Sequence, residues 1–244
     1  MKKDKSNTWL TDEGLKQVDS YINSADAIIL ERNRTMKILL DIFRYHFDEK
    51  KNLNLLDIGC GDGILTKNIQ EKYPENIFYL LDGSSAMIEK AKQKFKGDNF
   101  TFIRQTFEEY IDLPVDDLKY DFIFSANAIH HLDFLGKSKL YAKLFHELKY
   151  GGLFLNIDPV LPSSELSEKW QFNMWTDWIN ETLYKNNFKD EIGKYDNLPL
   201  RYKSAAENKP SALFDQIQLL NRIGFRDVDC FYKYGIFAIF GGTK

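Results

Sequence analysis

Residues 55–63 read LLDIGCGDG, which sets two carboxylates, Asp57 and Asp62, among three glycines at alternate positions. Glycines directly after a short apolar run let a strand turn tightly into a helix. The free amides at such a helix start form an anion site. Dinucleotide sites use this turn for a pyrophosphate with the spacing G-x-G-x-x-G. Here the spacing is G-x-G-x-G (Gly59, Gly61, Gly63), and the two carboxylates oppose a diphosphate. A guest with positive charge fits better, its own carboxylate on the amides and its ammonium on Asp57, directly or through water.

S-adenosylmethionine has that charge pattern: a sulfonium, an ammonium and a carboxylate. Asp82 lies about 20 residues past the glycine turn, the distance at which a carboxylate accepts hydrogen bonds from ribose hydroxyls. A nicotinamide dinucleotide also has a ribose there, so Asp57 and the glycine spacing carry the distinction. Cys60 is read as a small residue that fits the turn.

Further along, His130 and His131 are adjacent in "SANAIHHL". Either could act as a general base near neutral pH, or be a structural histidine bonded to backbone. Asp158 with one of them would make only a partial metal pair. His46 and His146 fall on other helices and no ligand spacing is present, so no metal is expected. Three of the four tryptophans, Trp170, Trp175 and Trp178, cluster with Phe172 and Met174. They read equally as a lid over an apolar or planar substrate and as the core of a small helical cap.

The elements that must position these residues alternate. Residues 15–47 carry apolar positions at three- and four-residue steps and predict helix, with Tyr21 and Arg32 as candidates to fold over a ligand. Strands are predicted at 52–58, 76–82, 99–104, 120–126 and 153–158. Helices are predicted at 64–73, 84–95 (Ser84 as N-cap) and 137–152, with the short segment "TFEEYI" between the third and fourth strands. Near-continuous apolar strands separated by helices imply a parallel sheet covered on both faces. The pattern breaks over 159–209, resumes as a helix at 211–223 stopped by Gly224, and closes as a hairpin near Tyr234–Gly235.

The stretches "LLDIGCGDG", "LLDGSSAMIEKAK", "YDFIFSANAIHHL" and "LFHELKYGGLFL", in this order, resemble the class I S-adenosylmethionine-dependent methyltransferases. The resemblance covers roughly 20–158 and 211–240. It implies an α/β, Rossmann-like, doubly wound seven-stranded sheet with a reversed last strand, N-terminal helices and a helical cap insertion. The expected division is a helical cover at 1–50, a cofactor-binding core at 51–158 and 211–244, and a Trp-rich substrate cap at 159–210. Asp57, Gly59 and Gly61 would line the methionine end of S-adenosylmethionine, and Asp82 would hold the ribose. Gly83 and Met87 would lie beside the adenine, and Ala126 would offer its backbone near the methionine. The family often has Gly-Asp after the third strand. This chain has Gln105-Thr106, so Thr106, the Gln105 amide or the Phe107 backbone would substitute.

The bulk numbers limit partners. The 244 residues carry 33 basic and 36 acidic side chains, a net charge of -3, which shows no polyanion-binding surface. "SANA" at the fourth strand lacks the Asn-Pro-Pro-Tyr of many enzymes that methylate base amino groups, which disfavours nucleic acid, though a local basic patch would still permit RNA. Two cysteines build neither a disulfide framework nor a cysteine-only cluster. No signal-peptide pattern or membrane-length apolar run is read, so the expectation is a cytoplasmic monomer or homodimer. The expected activity is methyl transfer to a small-molecule acceptor. Alternatives are an enzyme of the carboxy-S-adenosylmethionine/tRNA wobble-uridine pathway, suggested by the C-terminal layout, a non-catalytic cofactor-binding module, or a nicotinamide oxidoreductase.

Overall fold

The computed structural model describes residues 18, 22, 24–48, 50–115 and 117–244. Tyr21 and the first seventeen residues lie outside the described residues. Helix α1 is Arg32–Phe47. Then come β1 (Asn54–Ile58), α2 (Ile64–Gln70), β2 (Ile77–Asp82), α3 (Ser85–Lys94), β3 (Phe100–Arg104), α4 (Phe107–Asp112) and β4 (Tyr120–Ala126). After β4 follow α5 (Phe134–Glu147), β5 (Leu148–Pro159), α6 (Glu165–Lys185), α7 (Leu198–Ser204), α8 (Leu213–Ile223), β6 (Arg226–Tyr234) and β7 (Phe237–Thr243).

The strands form one sheet in the order β3-β2-β1-β4-β5-β7-β6. The first five pair in parallel, and β7 runs antiparallel to both neighbours. The strand order reverses beside β1, and the carboxyl ends of β1 and β4 open there, the place where such sheets bind ligands.

Strand residues feed two cores by simple alternation. Leu55, Phe122, Phe124, Leu153 and Leu155 pack under α1, α2 and α3. Leu56, Ile58, Ile123 and Phe154 pack under α5 and α8 with Tyr141, Leu144 and Leu220. Each such side chain taken from water contributes about 1.5–3 kcal/mol. A third cluster (Ala25, Ile29, Leu30, Phe172, Trp175, Ile179, Leu183, Ile236, Phe237) joins the N-terminal segment to α6 and the β6–β7 hairpin.

Two boundaries differ from expectation. The continuous helix predicted to residue 47 breaks at 29–31, where Glu31 adopts φ 53° and α1 restarts at Arg32. Ile29 and Leu30 turn into the third cluster there, a tertiary pull that periodicity does not record. The helix predicted at 137–152 begins at Phe134, because Asp133 accepts from the Gly136 N–H at 2.7 Å as its N-cap. It ends at Glu147, and Leu148–Gly152 belong to β5. Among the described residues no helix is long and apolar enough to cross a membrane.

Candidate functional site

Asp57 sits one residue before the end of β1 and is 2% exposed. Its Oδ2 accepts from the Thr66 hydroxyl at 2.7 Å. Burial raises its carboxyl from 3.8 to about 7; the Thr66 bond opposes the rise, and Asp82 and Asp62 add to it. Asp57 therefore needs a cation to ionise fully.

The glycine turn corrects the anion-cradle expectation. The N–H groups of Gly59 and Cys60 both donate to the Leu81 carbonyl, Gly61 donates to Asp82 Oδ2, and Gly63 donates to the Cys60 carbonyl. These four amides are committed within the protein. Gly59 is required by packing: at φ 73°, a Cβ there would collide with Ala128. Of the three turn glycines Gly61 is the least crowded, with Met87 Sδ at 3.9 Å from where its Cβ would be. Asp62 is paired with Lys94, so it adds little free negative charge.

Asp82 closes β2. Its Oδ1 accepts from the Ser84 N–H at 2.7 Å and its Oδ2 from Gly61 at 2.8 Å. One backbone donor per oxygen leaves lone pairs for a ligand's hydroxyls. Ser84 caps α3 as expected, accepting from Met87 N–H, which sets Gly83 and Met87 at the cavity wall. Thr106 opens α4 with a capping box: its hydroxyl accepts from Glu109 N–H and its own N–H donates to Glu109 Oε2. The hydroxyl proton and a second lone pair remain, and Gln105, Thr106 and Phe107 all line the cavity.

Opposite lie the histidines, in a 3₁₀ turn after β4. His130 Nδ1 donates to Asp158 Oδ1 at 2.8 Å, with Asp158 fully buried at the end of β5. Since the carboxylate accepts at Nδ1, Nε2 keeps a lone pair in the neutral ring. His131 Nδ1 donates to the Glu207 carbonyl at 2.9 Å, the backbone-bonded structural role. Burial, with His130 beside it, pushes His131 down to about 3, so it stays neutral.

One cavity of about 390 Å³ connects these groups, lined by Asp57, Gly59, Gly61, Asp82, Gly83, Met87, Phe107, Ala126, His130 and Trp175 among others. Of the three tryptophans only Trp175 reaches it, and its Nε1 donates to the Ile28 carbonyl at 2.7 Å. Trp170 is 62% exposed and Trp178 packs at the edge of the third cluster, so of the two equal readings the cap core describes Trp175 and Trp178, and Trp175 alone also faces the cavity. Tyr202 on α7 was missed by sequence reasoning; its ring lies 5.7 Å from both His130 and Trp175. The seven-residue α7 is too short for a period to show which face turns inward.

A seven-stranded sheet with β7 reversed and a carboxylate at each of the β1 and β2 ends is the arrangement that the resemblance to the S-adenosylmethionine-dependent methyltransferase class implies. Residues 55–152 match the family model described as a methyltransferase domain. S-adenosylmethionine is the cofactor of that class, and the uncrowded Gly61, the half-satisfied Asp82 oxygens and the cation-seeking Asp57 fit it.

The relatives are as follows. Malonyl-[acyl-carrier protein] O-methyltransferase 1 of Ilyobacter polytropus is 38% identical over 141 residues, 57% of this chain and 46% of that protein. The chain thus spans about half the length of that relative. Carboxy-S-adenosyl-L-methionine synthase of Nautilia profundicola is 24% identical over 223 residues, 87% of this chain and 88% of that one. Among solved structures, an O-methyltransferase family 2 protein from Planctomyces limnophilus superposes with TM-score 0.62 at 17% identity, over 100% of this chain and 64% of that one. This last likeness concerns the fold.

Proposed function

We propose that this protein transfers a methyl group from S-adenosylmethionine to a small-molecule acceptor whose attacking atom arrives protonated. The observation that carries the reading is His130 in the wall of the cavity, held from behind at 2.8 Å by the buried Asp158. A carboxylate acceptor at neutral pH needs no base; a hydroxyl or an amine does.

When bound, S-adenosylmethionine supplies a methyl group already activated by its sulfonium. Asp82 accepts from the ribose hydroxyls, Asp57 faces the ammonium, Gly83, Met87 and Phe107 border the adenine, and the Ala126 backbone lies toward the methionine. His130 takes the acceptor's proton at Nε2 while Asp158 stabilises the imidazolium that forms. Trp175, Leu198 and Tyr202 close the acceptor side and exclude water, as expected of residues 159–210 acting as a substrate cap. The rest of the work is alignment of acceptor and methyl carbon.

A second reading, a maker of carboxy-S-adenosylmethionine, is favoured by the length of the alignment to such a synthase. One experiment separates the readings. The protein is incubated with methyl-labelled S-adenosylmethionine and a metabolite panel, and products are read by mass spectrometry. Labelled product with S-adenosylhomocysteine supports methyl transfer. A carboxylated cofactor supports the second reading. Binding without any product leaves a non-catalytic module and refutes the assignment of His130.

A further inference from the structure

The four committed amides of the glycine turn raise a question about the ligand's own carboxylate. Gly59, Cys60, Gly61 and Gly63 donate to the protein and not to the cavity. The helix that follows has only seven residues. Asp57 and Asp82 line the cavity beside the turn, so an anion placed there meets carboxylates. It needs a cation from elsewhere.

Among the described residues, the cavity lining holds one permanently charged base, Arg32. His131 is neutral at physiological pH, and His130 is engaged by Asp158. Arg32 opens α1, just past the break at 29–31 that turns Ile28 and Ile29 toward the same cavity. Its side chain is 16% exposed, and its Nη1 donates to Asp26 Oδ1 at 2.5 Å. Asp26 is 67% exposed, so that pair is a weak surface contact and leaves the rest of the guanidinium fork for a ligand.

We infer that Arg32 holds the carboxylate of the cofactor, in place of the glycine-turn amides. The inference rests on the S-adenosylmethionine reading of the site and names the residue that selects its amino-acid end. The cofactor's two charges are then divided: Asp57 from the core takes the ammonium, and Arg32 from the N-terminal segment takes the carboxylate.

The test compares S-adenosylmethionine with decarboxylated S-adenosylmethionine, which lacks only that carboxylate, by isothermal titration calorimetry. The wild type binds the complete cofactor about 10–100-fold more tightly, the range for a charge-assisted hydrogen bond. In Arg32→Ala the complete cofactor weakens by that factor, the decarboxylated one barely changes, and the preference is lost. Arg32→Gln, with a similar stem, repeats the result and covers an unstable alanine variant. Asp26→Asn keeps the preference. If Arg32→Ala weakens both ligands equally, or neither, the inference is overturned while the cofactor reading stands. If wild-type protein binds neither S-adenosylmethionine nor S-adenosylhomocysteine, the reading of the whole site fails with it.

Discussion

Asp57 makes cofactor affinity depend on pH in a defined direction. Without ligand its carboxyl sits at about 7, raised mainly by burial. A bound ammonium favours the ionised form, so binding expels a proton wherever the free protein still holds one. At pH 5.5 about 3% of free molecules have Asp57 ionised, and at pH 7 about half, from a midpoint near 7. Affinity for S-adenosylmethionine should therefore rise more than tenfold, about 1.4 kcal/mol or more, between pH 5.5 and 7. The assay is calorimetric titration in two buffers of different ionisation heat, which reads affinity and protons released together. Asp57→Asn should flatten the profile and bind more weakly at pH 7. A flat wild-type profile, or the same slope in Asp57→Asn, refutes the pairing of Asp57 with the ammonium. The free protein carries the same group with the opposite sign. A carboxyl raised in the folded state takes up protons on folding between about 4 and 7, so the ligand-free protein loses stability as pH rises through that window and levels off above it.

Three other outcomes follow from the geometry. His130→Gln and Asp158→Asn should lower turnover about 10²–10⁴-fold while S-adenosylhomocysteine affinity stays within a few-fold. Asp82→Ala should weaken S-adenosylhomocysteine by about 1.5–3 kcal/mol in calorimetry, through the lost ribose bonds. Trp175→Ala should cost about 3–5 kcal/mol in denaturant unfolding, since it empties the third cluster and orphans the Ile28 carbonyl, whereas Trp170→Ala at the surface should stay within about 0.5 kcal/mol.

The sheet was legible because its strands are short apolar runs set apart by helices of clear period. The reversed β7 was announced by the Tyr234–Gly235 turn, although its antiparallel seat beside β5 came only from the resemblance. Asp57, Asp82, Gly61 and His130 were expected near one another because strand-end carboxylates and a histidine at a sheet's carboxyl edge are placed by topology, and all four line the cavity. What the chain order hid was competition for hydrogen bonds. A glycine amide reads as a free donor until Leu81 is seen to accept from two of them. Thr106 reads as a wholly free ligand group until Glu109 is seen to take its N–H and one lone pair of its hydroxyl. The tryptophans divide by spacing: on the 21-residue α6, five residues turn Trp170 away to the surface, while Trp175 and Trp178, three apart, both pack in the third cluster.

Trp175 donating to the Ile28 carbonyl ties the segment before α1 to the long insertion, so the roof over the cavity is one piece. The same indole packs with Ala25, Ile29 and Leu30, so the two segments share one apolar seam as well as that bond. A substitution that loosens either segment therefore loosens its neighbour across the cavity.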